Sequence, residues 1–291
     1  METDRSSFCG CKGIRTCIKC EKEYSILKPA FDLSKYDGSY VYCCFCNKAW
    51  ESDDNSEHGN HPNHSGKSIN FPGVFIQLEF ISQNECDELM NGLDSLPWDT
   101  SQSGRRKQNF GPKCNFKKRK LRAGNFGGFP ASTRFIQDRF STVDLLRDFQ
   151  TIEQCSLEYD SDRGSSIDAH IDDCWIWGER IVTVNVIGDS VLTMVPYRDT
   201  NTRYNLCDAP NPFNNLSQSK VPNVVVKIPI PSRSLLVLYG EARYWWEHLI
   251  PREDIKGRRV CLAYREFTKP YLSCGEFGGE GDFIRERIAF F

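Results

Sequence analysis

The stretch that decides the fold is Val182-Thr183-Val184-Asn185-Val186-Ile187, followed after a short break by Val191-Leu192-Thr193-Met194-Val195. Both runs are rich in β-branched residues, and each therefore predicts a strand. Further short runs of this kind follow at 224–228, 235–238, 244–248 and 260–267. Gly, Pro, Asn and Asp separate most of them. Many short strands without intervening helices favour a sandwich, a barrel or a jelly roll.

The chain before these strands has a different character. Ser82-Gln83-Asn84-Glu85 is a capping box that predicts the start of a helix, and a second helix is predicted over 132–149. Residues 51–68 contain no hydrophobic residue and predict a linker. We therefore expect a mainly β protein with flanking helices. Its predicted parts are a cysteine-rich module over 1–50, a polar linker over 51–70, helices and a lid over 71–150, and a β core over 151–291.

Composition excludes several classes of protein. The net charge of −2 over 291 residues gives no global attraction to nucleic acid. No apolar run is long enough to span a bilayer, so we expect no membrane association. The N-terminus is acidic and polar, and no secretory signal is expected there. The 14 cysteines are then expected to be reduced, which leaves metal binding or core packing as their uses.

Half of the cysteines lie within the first 46 residues. Four of them form the pattern Cys9-x-Cys11-x5-Cys17-x2-Cys20. Four thiolates so close together can hold a structural zinc ion, and we expect about one zinc ion per chain. In an alternative pairing, Cys17 and Cys20 join Cys43 and Cys46 in a ribbon. The histidines of the linker could supply nitrogens to a further site. The remaining interpretation of these cysteines is that they are buried free thiols.

Only two histidines fall in the β-rich region, His170 and His248. His170-Ile171-Asp172 is the one His-x-Asp of the chain, and residues i and i+2 of a strand face the same side. With His248 they make two histidines and one carboxylate, the facial triad that holds Fe(II) with open positions. Alternatively, His170 is an ordinary loop histidine. Asp173 is a second acidic candidate beside Asp172.

A strand predicted over 260–267 follows His248. Its alternation puts Arg259, Cys261, Ala263 and Arg265 on one face. Two arginines beside small residues indicate a cavity for an acidic ligand, since arginine forms a fork with carboxylates. The alternative is an edge strand with solvated arginines.

The segment 100–137 holds ten Lys and Arg and no acidic residue. Aromatic residues and glycines are interleaved with the cations. Such a stretch predicts a flexible basic loop that can neutralise phosphates and stack bases. Equally, it could be a solvated surface whose aromatics are tucked into the core.

These motifs together resemble the AlkB-type Fe(II)/2-oxoglutarate dioxygenases over roughly residues 71–270. The resemblance lies in His170-x-Asp172, His248, Arg259-x5-Arg265 and the upstream Tyr159. Three literal runs, 9–17, 101–108 and 175–180, place it within one branch of that family. The chain departs from the wider family at Leu157, Cys261 and Ala263.

The resemblance implies a double-stranded β-helix of the jelly-roll or cupin-like kind, with a small cysteine-rich module at the N-terminus. It implies iron held by His170, Asp172 and His248, with 2-oxoglutarate and O₂ as cosubstrates. The implied 2-oxoglutarate residues are Arg259, Arg265 and Tyr159. The implied substrate lid contains Arg105, Arg106, Lys107 and Phe110.

The implied activity is oxidative N-demethylation that releases formaldehyde and succinate. The implied substrates are monomethyl-lysine in a protein such as actin and N6-methyladenine in DNA, and actomyosin-associated proteins are implied partners. The implied location is the cytoplasm and the nucleus. A different class of function is a non-catalytic nucleic-acid-binding or zinc-dependent interaction protein on a jelly-roll scaffold.

Overall fold

The computed structural model describes residues 5–211, 213 and 221–291, and it is built mainly from strands. The strands are β1 (Ser39–Cys43), β2 (Lys48–Glu51), β3 (Ser68–Asn70), β4 (Val74–Gln77), β5 (Asp99–Thr100), β6 (Arg106–Phe110), β7 (Lys113–Asn115), β8 (Lys120–Arg122), β9 (Glu153–Tyr159), β10 (Ile167–His170), β11 (Trp177–Ile187), β12 (Ser190–Pro196), β13 (Val225–Ile230), β14 (Ser234–Leu238), β15 (Trp246–Ile250) and β16 (Arg259–Phe267). The α-helices are α1 (Ser6–Cys9), α2 (Ile18–Tyr24), α3 (Gln83–Asp94), α4 (Arg134–Phe140), α5 (Gly240–Tyr244) and α6 (Gly278–Arg285).

Two large sheets contain the core strands. The first, here called the helix-backed sheet, has the order β4-β14-β11-β16-β9-β6-β5. The second, here called the histidine sheet, has the order β10-β15-β12-β13-β1-β2-β3. Strands β9 to β16 are antiparallel to their neighbours within this core. In chain order they alternate between the sheets, except that β12 and β13 follow each other in the histidine sheet. This is the connectivity of an eight-stranded jelly roll, so the predicted double-stranded β-helix is confirmed.

The helix-backed sheet is buried on both faces, which explains why its strands are so apolar. On β11, Ile181 and Thr183 face the space between the two sheets. Val182 and Val184 point the other way and pack in the cluster that contains α3 and α4. The capping box of Ser82 and Glu85 is present at the start of α3. The second helix is shorter than predicted, because the chain turns at Ser141 and makes only a short 3₁₀ segment at Asp144–Leu146.

The N-terminal region adds to the histidine sheet. Strand β1 pairs in parallel with β13, and the short strands β2 and β3 continue the sheet outward. The predicted boundary between two domains at residues 51–70 stays a prediction. The histidine sheet includes residues on both sides of this segment, and β3 lies within it. Among the described residues, none of the helices combines the length and apolar character that a membrane crossing requires.

Candidate active site and metal centres

The two histidines of the β core lie side by side in the histidine sheet. His170 ends β10 and His248 lies on β15, and the two residues are direct cross-strand partners. Their ring centroids are 4.2 Å apart. Asp172 follows two residues after His170, and its Oδ2 lies 3.7 Å from His248 Nε2. One ligand atom from each of the three residues lies within 4.8 Å of the others, so the structure brings the predicted triad together.

The tautomer of His170 follows from its hydrogen bond. Its Nδ1 lies 2.8 Å from the carbonyl oxygen of Asp168. A carbonyl can only accept, so Nδ1 carries the hydrogen and Nε2 keeps a lone pair for a metal. Burial lowers the pKa of both His170 and His248, which favours their neutral, ligand form. Two neutral histidines and one carboxylate on one side of a cavity fit an Fe(II) site.

Arg265 positions the carboxylate of the triad. Its Nε donates to Asp172 Oδ1 at 2.6 Å, and its Nη1 donates to Glu153 Oε2 at 2.5 Å. Oδ2 of Asp172 is buried and has no hydrogen-bond donor among the described residues. Burial would raise the pKa of Asp172, but the charge of the Arg265 guanidinium opposes it, and the pKa lies well below its usual range. The carboxylate is therefore charged, with one oxygen anchored and the other left for a metal.

The neighbouring acid has another function. Asp173 accepts hydrogen bonds from the side-chain amide of Asn205 at 2.9 and 3.0 Å and from the backbone N–H of Trp175. It ties the segment after β10 to the long connection between β12 and β13. Of the two acids that the sequence left as alternatives, Asp172 therefore lies with the two histidines, whereas Asp173 is occupied by these contacts.

A cavity of about 60 Å³ opens from the triad into the space between the sheets. As the strand alternation predicts, Arg259, Cys261, Ala263 and Arg265 all line it. Leu157, where the chain departs from the wider family, lines it too. The other face of β16 packs against the helices through Val260, Leu262 and Tyr264.

Arg259 lies inside this cavity with unused hydrogen-bonding capacity. It is 2% exposed, and its Nε donates to Asn185 Oδ1 at 2.8 Å. Its Nη1 is buried and has no acceptor among the described residues. A buried guanidinium without an acidic partner is costly, and a carboxylate ligand would satisfy it. The cavity therefore presents Arg259 as a partner for a carboxylate ligand.

Tyr159 forms a wall of the same cavity. It pairs with Arg259 across β9 and β16, and the Arg259 guanidinium lies 4.9 Å from its ring centroid. The guanidinium of Arg105 lies 5.9 Å from the same centroid. Burial raises the pKa of Tyr159, so the hydroxyl stays protonated and can donate a hydrogen bond to a ligand.

The predicted lid residues are not on a flexible loop. Residues Arg106 to Phe110 form β6, which pairs with β9 and covers what would otherwise be an exposed sheet edge. Arg106 forms a two-pronged ion pair with Glu158, a carboxylate that is 1% exposed. Lys107 pairs with Leu157 in the strand register. The prediction of a flexible loop over 100–137 is therefore wrong for residues 106–110, where Arg106 neutralises a buried acid within a strand. The role of these residues in a substrate lid stays a prediction.

The basic residues that follow form a hairpin of β7 and β8, here called the basic hairpin (Lys113–Arg122). It contains six cations: Lys113, Lys117, Lys118, Arg119, Lys120 and Arg122. Phe116 near its tip is 46% exposed, and its ring lies 6.4 Å from that of Trp175. Burial, with the charge of Glu153 nearby, raises the pKa of Cys114 to about 12. The hairpin thus lies near Glu153, the acid that binds Arg265.

The first four cysteines form one cluster. Cys9, Cys11, Cys17 and Cys20 each place a sulfur within 4.8 Å of the others, and the Sγ atoms of Cys17 and Cys20 are 3.8 Å apart. Zinc–sulfur bonds of about 2.3 Å in a tetrahedron separate neighbouring sulfurs by about 3.8 Å. The alternative ribbon is not formed, because Cys43 and Cys46 lie with His61 and His64.

The four-cysteine cluster packs against the rim of the active site. The backbone N–H groups of Ser103 and Gly104 donate to the sulfur of Cys11. Arg15 and Lys28 form ion pairs with the Asp168 side chain at 3.5 and 3.2 Å. The carbonyl of Asp168 is the group that holds His170.

Sequence reasoning missed several supporting residues. Asn185 holds Arg259, Glu153 holds Arg265, and Asp168 holds His170. For Asn185 a signal was available, since an amide within a run of valines needs a buried partner. Glu153 gave none, because its partner Arg265 is 112 residues away. Asp168 gave none, because it holds His170 through its backbone carbonyl, a group that every residue has.

Comparison with known proteins identifies the family. The chain is 38% identical over 283 residues to human "Alpha-ketoglutarate-dependent dioxygenase alkB homolog 4", which covers 94% of this chain and 88% of the human protein. It is 32% identical to a Caenorhabditis elegans protein named "DNA N6-methyl adenine demethylase", over 92% of this chain and 89% of that protein. A solved structure titled "The structure of OsALKBH1" is 11% identical, covers 68% of this chain and 98% of that chain, and has a TM-score of 0.46. No protein-family model matches.

The branch to which the three literal runs point is AlkB homologue 4, and the human and mouse proteins of that name, both 38% identical to this chain, confirm it. Each is matched over more than four-fifths of its length. The chain belongs to the AlkB family of 2-oxoglutarate-dependent dioxygenases.

Proposed function

We propose that this dioxygenase removes an N-methyl group from N6-methyladenine in DNA. The observation that carries the proposal is the basic hairpin near Glu153 and Trp175. Apart from Arg119, which pairs with Asp208, its cations can match a phosphate backbone. Exposed Phe116 offers a ring on which a base can stack. The name of the C. elegans relative supports the same substrate class.

A second candidate substrate is monomethyl-lysine in an actin-like protein, with actomyosin-associated proteins as partners. The resemblance implies this substrate, and one contact favours it. Phe116 and Trp175 meet edge to face, and aromatic rings of this kind can hold a methylated ammonium group. An acidic protein surface would satisfy the basic hairpin as phosphates do.

The residues of the cavity have separable roles in this proposal. His170, Asp172 and His248 would hold Fe(II), and Arg259 would pair with the far carboxylate of 2-oxoglutarate. Iron with 2-oxoglutarate and O₂ supplies the oxidation of the methyl group, which then leaves as formaldehyde. Arg265 fixes Asp172, and the apolar lining keeps water from the site. A non-catalytic scaffold would need neither the triad nor the unpaired guanidinium.

The test uses the full chain with Fe(II), 2-oxoglutarate and two matched substrate pairs. One pair is DNA with and without N6-methyladenine, and the other is an actin peptide with and without monomethyl-lysine. We expect formaldehyde and succinate in equal amounts from the methylated DNA. Release from the methylated peptide alone would favour the second candidate, and release from neither would refute the proposal.

Two variants separate the triad from its neighbour. His170→Ala should abolish turnover while leaving the fold intact, because the sheets do not depend on the metal. Asp173→Asn is the matched control, since its carboxylate binds Asn205 and not the triad. Full turnover by His170→Ala, or loss in Asp173→Asn alone, would contradict the assignment.

A further inference from the structure

A second group of metal-ligating side chains lies outside the active site and outside the four-cysteine cluster. Cys43, Cys46, His61 and His64 place one sulfur or nitrogen each within 4.8 Å of one another. Cys43 ends β1, and Cys46 lies in the turn before β2. The two histidines come from the polar segment between β2 and β3. The pattern is Cys-x2-Cys followed by His-x2-His, which is one residue shorter between the histidines than the Cys-x2-Cys and His-x3–5-His spacing typical of zinc sites.

The turn between β1 and β2 is shaped to present both sulfurs. Asn47 takes a positive φ of 55°, and its N–H donates to the Cys43 carbonyl at 2.9 Å. The backbone N–H groups of Phe45 and Cys46 donate to the sulfur of Cys43. The N–H of Lys48 and the indole of Trp50 donate to the sulfur of Cys46. These donors hold the two sulfurs in place, and the sulfurs lie within 4.8 Å of each other.

Aromatic contacts fix the two imidazole rings. The ring of His64 stacks on Trp50 with centroids 4.7 Å apart and planes at 19°. The ring of His61 lies 5.3 Å from that of Phe45. The rings of the two histidines are 5.7 Å apart. Both imidazoles are thus held against the hairpin that carries the cysteines.

The segment needs such a site because it has no core of its own. Residues 51–68 contain no hydrophobic side chain. Strands β1, β2 and β3 have only five, four and three residues. Segments with so little apolar surface are ordered by metals or disulfides. A disulfide between Cys43 and Cys46 would leave the two converging histidines without a function.

We propose that Cys43, Cys46, His61 and His64 bind a second structural zinc ion in a tetrahedral site with two sulfur and two nitrogen ligands. This zinc ion fastens residues 52–67 to the β1–β2 hairpin. The hairpin continues the sheet that holds His170 and His248, with β1 joined to it through β13. The full chain therefore carries two zinc ions besides the iron.

The test measures zinc in the full chain by elemental analysis after purification without chelators. Two zinc ions per chain are expected in the unmodified protein. His61→Ala/His64→Ala should lose one, and His64→Cys should keep both, because a thiolate can replace the imidazole. Cys44→Ser is the matched control and should keep both, since Cys44 packs against the core. The same zinc content in the double variant as in the unmodified protein would overturn the proposal.

Cobalt substitution distinguishes the two sites. Co(II) bound by four sulfurs absorbs more strongly in the visible range, and at longer wavelength, than Co(II) bound by two sulfurs and two nitrogens. Difference spectra between the unmodified chain and His61→Ala/His64→Ala should show the mixed-ligand signature alone. A four-sulfur difference spectrum, or a Cys43–Cys46 disulfide found by mass spectrometry, would overturn the assignment.

Discussion

Replacing Arg259 by alanine tests the interpretation of the cavity most directly. The guanidinium is 2% exposed, it bonds to Asn185 through Nε, and its Nη1 has no acceptor among the described residues. If a carboxylate of 2-oxoglutarate accepts a hydrogen bond from Nη1, removal of the Arg259 guanidinium leaves that carboxylate buried and unpaired. We therefore expect weaker binding of 2-oxoglutarate and little change in iron affinity.

The expected magnitude follows from the burial of the pair. Breaking a buried ion pair by removing one partner costs about 3–5 kcal/mol. At about 1.4 kcal/mol per factor of ten, the dissociation constant of 2-oxoglutarate should rise between about 100-fold and several-thousand-fold. Arg259→Lys should recover only part of this loss, because an ammonium restores the charge but not the two-pronged geometry.

The assay is an anaerobic titration of the Fe(II)-loaded protein with 2-oxoglutarate, followed by its visible absorbance, beside a separate iron titration. Arg258→Ala is the control, since Arg258 is the adjacent residue but pairs with Asp94 and Glu158 outside the cavity. An unchanged dissociation constant in Arg259→Ala, or an equal loss in the control, would refute the reasoning.

Three further predictions concern the rest of the molecule. Cys17→Ser should remove one zinc ion and also lower turnover, because the four-cysteine cluster packs on the active-site rim; unchanged turnover would show that the cluster is independent. Replacing Lys117, Lys118 and Lys120 together by glutamine should weaken DNA binding and flatten its salt dependence, measured by fluorescence anisotropy, while succinate formation without substrate persists. Hydrogen bonds from Arg139 and from the Ser82 N–H lower the pKa of Glu85 to about 2. The stability that the charged Glu85 contributes should therefore be complete above its ordinary pKa of 4.5 and disappear as the pH falls towards 2. Urea unfolding across that range should show this loss in the natural chain and a smaller one in Glu85→Gln.

The sequence was sufficient to predict those site residues whose direction follows from the alternation of side chains along a strand. His170 and Asp172 share a direction because strand residues alternate, and the same rule puts Arg259 and Arg265 in one cavity. Strand composition predicted a sandwich, a barrel or a jelly roll, and the resemblance to the AlkB family was needed to choose the jelly roll.

Pairing between distant segments was not predictable. Arg106 reads as one cation in a basic run, but it neutralises Glu158, 52 residues away. Strand β1 reads as part of a cysteine module, yet it pairs in parallel with β13, about 185 residues later. Neither partner differs in composition from its neighbours, so only the tertiary structure reveals the contact.

The position of the four-cysteine cluster links the N-terminus to the chemistry of the triad. Arg15 and Lys28 hold the side chain of Asp168, and the carbonyl of Asp168 fixes the Nδ1 hydrogen of His170. On the other side, Arg252 binds Glu21 of α2 at 2.6 and 2.8 Å. A displaced cluster would release Asp168, and with it the hydrogen bond that sets the tautomer of His170. The N-terminal segment therefore helps to orient His170, although none of the three residues of the triad comes from that segment.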